Sequence, residues 1–538
     1  MTNRIFKSGE SREQASLFPP RIEDYVEPDN AVRAIDSFVD ALDLAKLGFL
    51  HAKRGVGAGQ PPYDPSDLLK LYIYGYINRI RSSRRLEREA GRNLELIWLL
   101  KNLEPGYRTI ANFRKENWAA LKAANRSFVL LMRELNLIGG TLVAVDGALF
   151  HGNASKDSIF TRGKLAKQIA KLDEEIEAYG KSLDINDAAE AKQPADGLGN
   201  GNKGDGGDVG DKMKELMARR ERALADLKDL ETGDKGQVSK TDSDARLLSK
   251  GDQTIAGYNV QSVVDDKHKL IVASQVVNRS DAGHLHKMAK AAKEILEAET
   301  LQILADAGYY NSEDLKACED DSIKAYVPPH EGNGKIEKQG RFARKDFSYD
   351  AATNTYRCPA GQQLHPTKKP WTNTSGRIEI RYLGSKANCG GCPLKASCLS
   401  SEAKYRSISR WEHEDVLDRH RQRMASEDAS ELMRRRSAIV EHPFGTLKCR
   451  AGYQHFLVRG FRKVRGEWSL MALCYNFTRV LNILGFDRFV AYMAEKALVA
   501  RESGLASALR AIPLVLQTFR ANITLWLAVL TLRATPAP

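Results

Sequence analysis

The chain has 538 residues, 42% of them hydrophobic and 28% charged, which excludes a disordered chain and is too long for one compact core, so two or three domains are expected. Its 82 lysines and arginines against 69 acids leave a formal charge of +13; that balance suits a polyanionic partner such as nucleic acid and equally fits a basic protein without one. Seven cysteines are too few for a disulfide scaffold, and no apolar run of signal-peptide length opens the chain, so a cytoplasmic protein is expected.

After a tail over 1–28, residues 29–125 read as a helical domain. Asp64-Pro65-Ser66-Asp67 is a helix start, with an acid as N-cap and proline at the first helical position. The following LLKLYIYGYINRI (68–80) is apolar around most of a helix, which predicts burial among other helices. Arg79, Arg81, Arg84, Arg85, Arg88 and Arg92 crowd the next turns, and Arg108, Arg114 and Lys115 follow. They form either a solvated basic face or a DNA-contacting one.

The pattern changes at residue 141. TLVAVD (141–146) is a short β-branched run ending in Asp146 and Gly147, and it predicts a buried strand. Residues 126–155 are thus the first part of an α/β core. Residues 156–240 are an insert of two charged helical patterns, 164–181 and 212–230, separated by a Gly- and Asp-rich stretch (197–211) that predicts a flexible tip. The second part of the core, 241–329, holds GYNVQSVVD (257–265) and KLIVASQVV (269–277) as a hairpin, a helix over 281–299 capped by Asp281, LQILADAGYY (301–310) as a strand ending in Asp306, and SIKAYVPP (322–329) as one more strand. Asp265, Asp266 and Asp281 are explained by a turn and a cap. Asn259 and Gln261 share one strand face, where contact with DNA, orientation of a metal-bound water and plain solvation all fit.

Residues 330–410 form a second insert, which carries Cys358, then Cys389, Cys392 and Cys398 as CxxCPxxxxC. Four thiolates in such an arrangement suit a tetrahedral zinc site; unligated thiols and an iron–sulfur cluster are the alternatives. Residues 411–485 complete the core and 486–538 form a helical tail. Within the tail, Ile512 to Leu532 is apolar enough to be weighed as a membrane span, but Gln517, Arg520 and Asn522 in its middle argue for an amphipathic helix or loose tail and no membrane partner. No P-loop and no strand-linked GxGxxG is present, so neither ATP nor a dinucleotide is called for.

Phosphodiester chemistry needs an activated oxygen nucleophile and stabilisation of the leaving oxygen, which carboxylate-bound divalent cations supply. Asp146 and Asp306 each close an apolar strand and are the first candidates for such ligands. VAVDGALFHGNAS (143–155), GYNVQSVVD, ADAGYYN (305–311) and RRRSAIVEHPFGTLK (434–448) together resemble the DDE transposases of bacterial insertion sequences, and DNAVRAIDSFVDALDL, the 61–89 segment and TIANFRKEN extend the likeness across roughly 29–485. The resemblance implies an α+β protein: a helical N-terminal DNA-binding domain, then a ribonuclease-H-like core interrupted by the helical-hairpin and Cys-rich inserts.

It further implies Asp146, Asp306 and Glu441 as catalytic ligands of magnesium or manganese. Lys448 lies seven positions after Glu441, two turns on along one helix face, and with Arg436, Arg84, Arg85 and Arg114 it is expected to contact DNA. Met433 and Ser437 stand where many relatives have tyrosine and arginine, and Pro443 is expected to kink or restart the helix. A Cys-bearing insert at this place adds to the zinc reading. The partners implied are element ends and target DNA, with a homodimer or higher oligomer in the reaction complex near the bacterial nucleoid. A catalytically lapsed DNA-binding derivative and a metal-dependent nuclease without strand transfer are the alternatives.

Overall fold

The computed structural model describes residue 13 and residues 21–52, 61–190, 206–232, 236–329, 339–373 and 376–499. Contacts divide the chain into one unit of residues 1–132 with 462–538 and a second of residues 133–461. The protein is mixed α+β.

The first unit is helical: α1 (Ala31–Asp40), α2 (Pro65–Ile77), α3 (Ser83–Ala90), α4 (Leu94–Leu99), α5 (Tyr107–Glu116), most of α6 (Trp118–Glu134) and most of the helix Phe461–Leu484. Asp64 caps α2 by accepting from the Ser66 backbone N–H, with Pro65 at the first position as the sequence predicts. Every residue from Asp67 to Tyr76 is buried. That includes Lys70, whose ammonium lies 2.6 Å from both Asp36 and Asp40. The arginine-rich stretch does not continue α2: the helix stops at Ile77 and Arg79 takes φ +61°. The chain turns back so closely that a Cβ on Gly75 would fall 2.6 Å from the Ile80 carbonyl oxygen, and only glycine allows that approach.

The second unit is built on a sheet of β1 (Leu142–His151), β4 (Arg246–Lys250), β5 (Gln253–Asp265), β6 (Ile271–Val277), β7 (Leu301–Leu304) and β8 (Ile323–Tyr326). β5 pairs antiparallel with β1 on one side and with β4 and β6 on the other, while β1–β7 and β7–β8 are parallel. The parallel steps are made through α9 (Leu285–Leu296) and α10 (Ser312–Asp320). Eleven consecutive residues of β5, Ile255 to Asp265, are buried, as a central strand covered on both faces requires. The hairpin turn is held by Asp265, fully buried, which accepts from the backbone N–H groups of Gly139, Gly140 and Lys267.

Between β1 and β4 lie β2 (Ile159–Thr161), α7 (Arg162–Glu190), α8 (Gly206–Thr232) and β3 (Gln237–Ser239). β2 and β3 pair antiparallel, and Leu165, Ala223 and Leu230 seal the base of the helix pair. The expected flexible tip lies largely outside the described residues, but α8 begins at Gly206, inside the stretch read as loop. Residues 348–411 form a separate six-stranded antiparallel sheet over Phe347, Tyr356, Leu364, Tyr382 and Ile408. The helix Glu427–Gly445 then packs across β1, β5 and β7. The apolar 512–532 segment lies outside the described residues; no described helix is long and apolar enough to cross a membrane.

Candidate active site

β1 does not end at Asp146. It runs to His151 because Ala148, Leu149 and Phe150 keep pairing with β5, and Asp146 sits mid-strand opposite Ser262. The Asp146 carboxylate accepts from the Gly147 backbone N–H at 2.8 Å. Asp306 stands where expected, just past β7, and caps a short 3-10 turn by accepting from the Gly308 N–H at 2.9 Å. β1 and β7 are parallel neighbours, so the two acids come to one side of the sheet despite their distance in sequence.

What joins them is Lys250, the last residue of β4. Its ammonium lies 3.0 Å from Asp146, 3.7 Å from Asp281 and 3.9 Å from Asp306, and it also donates to the Gly147 carbonyl oxygen at 2.7 Å. Burial works to lower the Lys250 pKa, but Asp146, Asp281 and Asp306 outweigh it and the net shift is upward. The Asp306 carboxyl is pushed above its usual value, first by burial and then by Asp146 and Asp281, with Lys250 and Arg436 countering in part. The sequence does not single out Lys250, and it offers Asp281 only as an acid already explained by a helix cap.

Asp281 does not cap α9: the helix begins at Leu285 with His284 as N-cap and no side-chain cap bond. Its Oδ1 instead accepts from Asn259 Nδ2 at 2.8 Å and Gln261 Nε2 at 2.6 Å. Asn259 and Gln261 are 3% and 0% exposed, which rules out the solvated reading of that strand face. Tyr309, buried in the ADAGYY block, donates its hydroxyl to Gln261 Oε1. A hydrogen bond to a charged acceptor contributes about 1.5–3 kcal/mol, so the two amides fix this carboxylate firmly. The signal was the pair of amides two residues apart in an otherwise apolar strand.

Glu441 is exposed and is not among the acids facing Lys250. Its helix buries Ile439, Val440 and Phe444 instead. Arg436, one turn earlier, lies near enough to Asp306 to lower its pKa, and its buried Nη1 has no hydrogen-bond partner. Pro443 does not restart the helix: it continues to Gly445 and widens into a π-turn over Thr446–Arg450. That turn changes the pitch between Glu441 and Lys448. Lys448 is half-buried with its ammonium 4.7 Å from the Phe150 ring centroid, and burial, then Lys250, lowers its pKa against the pull of Asp146.

Among the described residues no three His, Cys, Asp or Glu side chains stand close enough to hold a metal ion as they are. The oxygens of Asp146, Asp281 and Asp306 stand 3.0–3.9 Å from the Lys250 ammonium, farther than a magnesium ligand's distance of about 2.1 Å. An all-oxygen set gathered about one positive charge fits a hard divalent cation in kind. Cys358, Cys389, Cys392 and Cys398 line one pocket with Arg406, and burial, then the other three sulfurs, raises the Cys398 pKa against Arg406. Cys358 and Cys398 also pack on the small aromatic core beside them.

In the helical unit Arg84, Arg85, Arg88, Arg108 and Lys115 are exposed, and Arg84 and Arg108 flank the Tyr107 ring at 5.3 and 5.9 Å. Arg114 is not part of that face. It is buried, 3.7 Å from the fully buried Glu467, and donates to the Tyr76 hydroxyl. Its charge is used inside the unit, which removes it from the set expected to meet DNA.

Three aspartates thus gather about one lysine at a partly open point beside β1 and β7, and oxygen ligands of this kind are what hard divalent cations take in phosphoryl chemistry. A family model described as Transposase DDE domain matches residues 357–481, and one described as Transposase domain (DUF772) matches residues 20–116. Both matches are to transposase domains, and together they support a DDE-type transposase, an enzyme of DNA transposition. No curated protein matches it. Among solved structures, the piggyBac transposase synaptic complex with hairpin DNA is similar at 9% identity, with 92% of this chain and 85% of that chain covered, but its TM-score of 0.30 is too low to support a shared fold.

Proposed function

We propose that this transposase binds the ends of its own insertion sequence, cuts them and joins the freed 3′-hydroxyl to target DNA at the Asp146–Asp306 site. The observation that carries this reading is the convergence of both acids on one cationic point from separate chain segments. Asp146 and Asp306 would hold magnesium or manganese, with Glu441 joining from its helix when DNA is bound. When bound, the ion supplies charge stabilisation and an activated oxygen for in-line attack at phosphorus.

The chain's own residues set the rest. The strand order β6-β5-β1-β7-β8, two antiparallel steps followed by two parallel ones, supports a ribonuclease-H-like core, with the helical hairpin and the Cys-bearing sheet as its inserts. Arg436 and Lys448 approach the acids and would steer the scissile phosphate. Arg84 and Arg85 would hold the DNA backbone, which fixes position without reading sequence. Zinc at Cys358, Cys389, Cys392 and Cys398 would tie the Cys-bearing sheet together, and paired ends would be held by two or more copies near the nucleoid.

The test is nicking and strand transfer on DNA carrying the flanking inverted repeats, beside gel-shift on the same DNA. Asp146→Asn, Asp306→Asn and Glu441→Gln should each abolish cutting and leave binding intact. Normal cutting by all three would overturn the proposal.

A further inference from the structure

The carboxylate set around Lys250 contains an acid that the DDE pattern does not supply. Asp281 reaches the site from the loop before α9, held inward by Asn259 and Gln261. The space for it is built into the fold: a Cβ on Gly147 would fall 2.0 Å from Asp281 Oδ1, 2.5 Å from Gln261 Nε2 and 2.8 Å from Asn259 Oδ1. Asn259 Oδ1 is itself buried without a hydrogen-bond partner, although Asn259 is only 3% exposed. Thus an unpartnered acceptor, independent of the acids, points into the same small space. In direct contact three carboxylates meet one ammonium, while Arg436 acts on Asp306 and Lys448 on Asp146 from further off; like charges so close are favourable only with cations among them.

Lys250 is placed to leave. It is the last residue of β4, at the turn into β5, and its side chain is 43% exposed whereas those of Asp146, Asp281 and Asp306 are 19%, 12% and 29% exposed. The acids are fixed by strand, amide and backbone N–H bonds; the ammonium is carried on a flexible stem from an edge strand. We propose that Lys250 is a resident counter-ion that occupies the cation position of the metal-free enzyme, that Asp281 is a third carboxylate ligand beside Asp146 and Asp306, and that a divalent ion binds by displacing the Lys250 ammonium. This rests on the metal reading of the site given above.

The experiment is calorimetric titration of the full chain with manganese in the absence of DNA, read with the rise in melting temperature at saturating metal. Lys250→Met and Lys250→Gln should bind manganese about tenfold tighter or more than wild type, since the internal competitor is gone. Lys250→Arg should stay within a few-fold of wild type, because it keeps the charge. Asp281→Asn should weaken binding by about tenfold or more. Should Lys250→Met be too unstable without metal, Lys250→Gln carries the same comparison.

Unchanged or weaker binding in both neutral Lys250 variants overturns the displacement. Wild-type affinity in Asp281→Asn overturns the third ligand. Asp146→Asn and Asp306→Asn separate the two levels. If they bind manganese like wild type, the underlying metal reading falls; if they lose it while the Lys250 variants do not change, only the present proposal falls.

Discussion

Two charge clusters in this protein have opposite stoichiometry, and the contrast tells what each is for. In the helical unit one acid, Glu467, meets two arginines, Arg81 and Arg114, at 3.8 and 3.7 Å; the acid is fully buried and the arginines nearly so. Tyr76 donates to the same carboxylate at 3.0 Å. In the sheet unit the ratio is reversed, three aspartates to one lysine, and every member keeps some contact with solvent. The first cluster is sealed and needs nothing further from outside, so its work is to lock α2, α5 and the helix Phe461–Leu484. The second is open and carries more carboxylates than ammonium groups in direct contact, which suits the cation site proposed above.

If the contrast holds, the largest effects fall on chemistry at one cluster and on stability at the other. Asp306→Ala should lower cleavage by orders of magnitude with melting temperature unchanged or raised, because it relieves repulsion. A wild-type nicking rate for that variant would remove Asp306 from the site. Glu467→Gln should do the reverse: leaving two buried arginines without their anion costs about 3–5 kcal/mol, read by chemical denaturation. Cleavage per folded molecule should be unchanged. If denaturation shows no loss, the sealed cluster is not a structural lock.

A smaller effect sharpens the division inside the sheet unit. Asp265→Asn loses a buried carboxylate that serves backbone N–H groups, which should cost about 1–3 kcal/mol and leave cutting intact. Acidification should separate the aspartates as well. Burial raises the Asp306 pKa, and Asp146 and Asp281 add to that, so protons compete for it at a higher pH than for an ordinary carboxylate. Manganese affinity should therefore begin to fall at a higher pH than in Asp281→Asn, where one raising charge is absent. Smallest of all, Arg84→Ala with Arg85→Ala should flatten the dependence of DNA affinity on salt by about one to two units of log–log slope. An unchanged slope would take those arginines off the DNA.

Much of the site is visible in the sequence where local pattern and tertiary role coincide. Asp306 was legible because an acid after LQIL and before Ala-Gly-Tyr both ends a strand and caps a turn, and the structure gives it both positions. The buried span of α2 was legible for the same reason. Asp281 was misread because Asp-Ala-Gly-His before a helical pattern satisfies every local rule for a cap. Its true partners, Asn259 and Gln261, lie about twenty residues back on a strand that the sequence cannot place beside it. Arg114 was misread likewise, since an arginine in a basic stretch looks solvated until a glutamate from the far end of the chain is folded against it. Glu441 shows the converse, a motif residue whose helix packs on the sheet while its own side chain stays exposed.

The gap beside Gly147 has a consequence for how such sequences can diverge. A single methyl there would overlap the Asp281 carboxylate, so positions 147, 259, 261 and 281 are not independent letters. A lineage that keeps the two amides and the inner acid can take another residue after Asp146 only if those three side chains shift, while one that loses Asp281 is released from the closest of the overlaps. Drift at these four positions should therefore occur jointly, and a tolerated replacement of Gly147 should be found together with a shortened or missing side chain at 281.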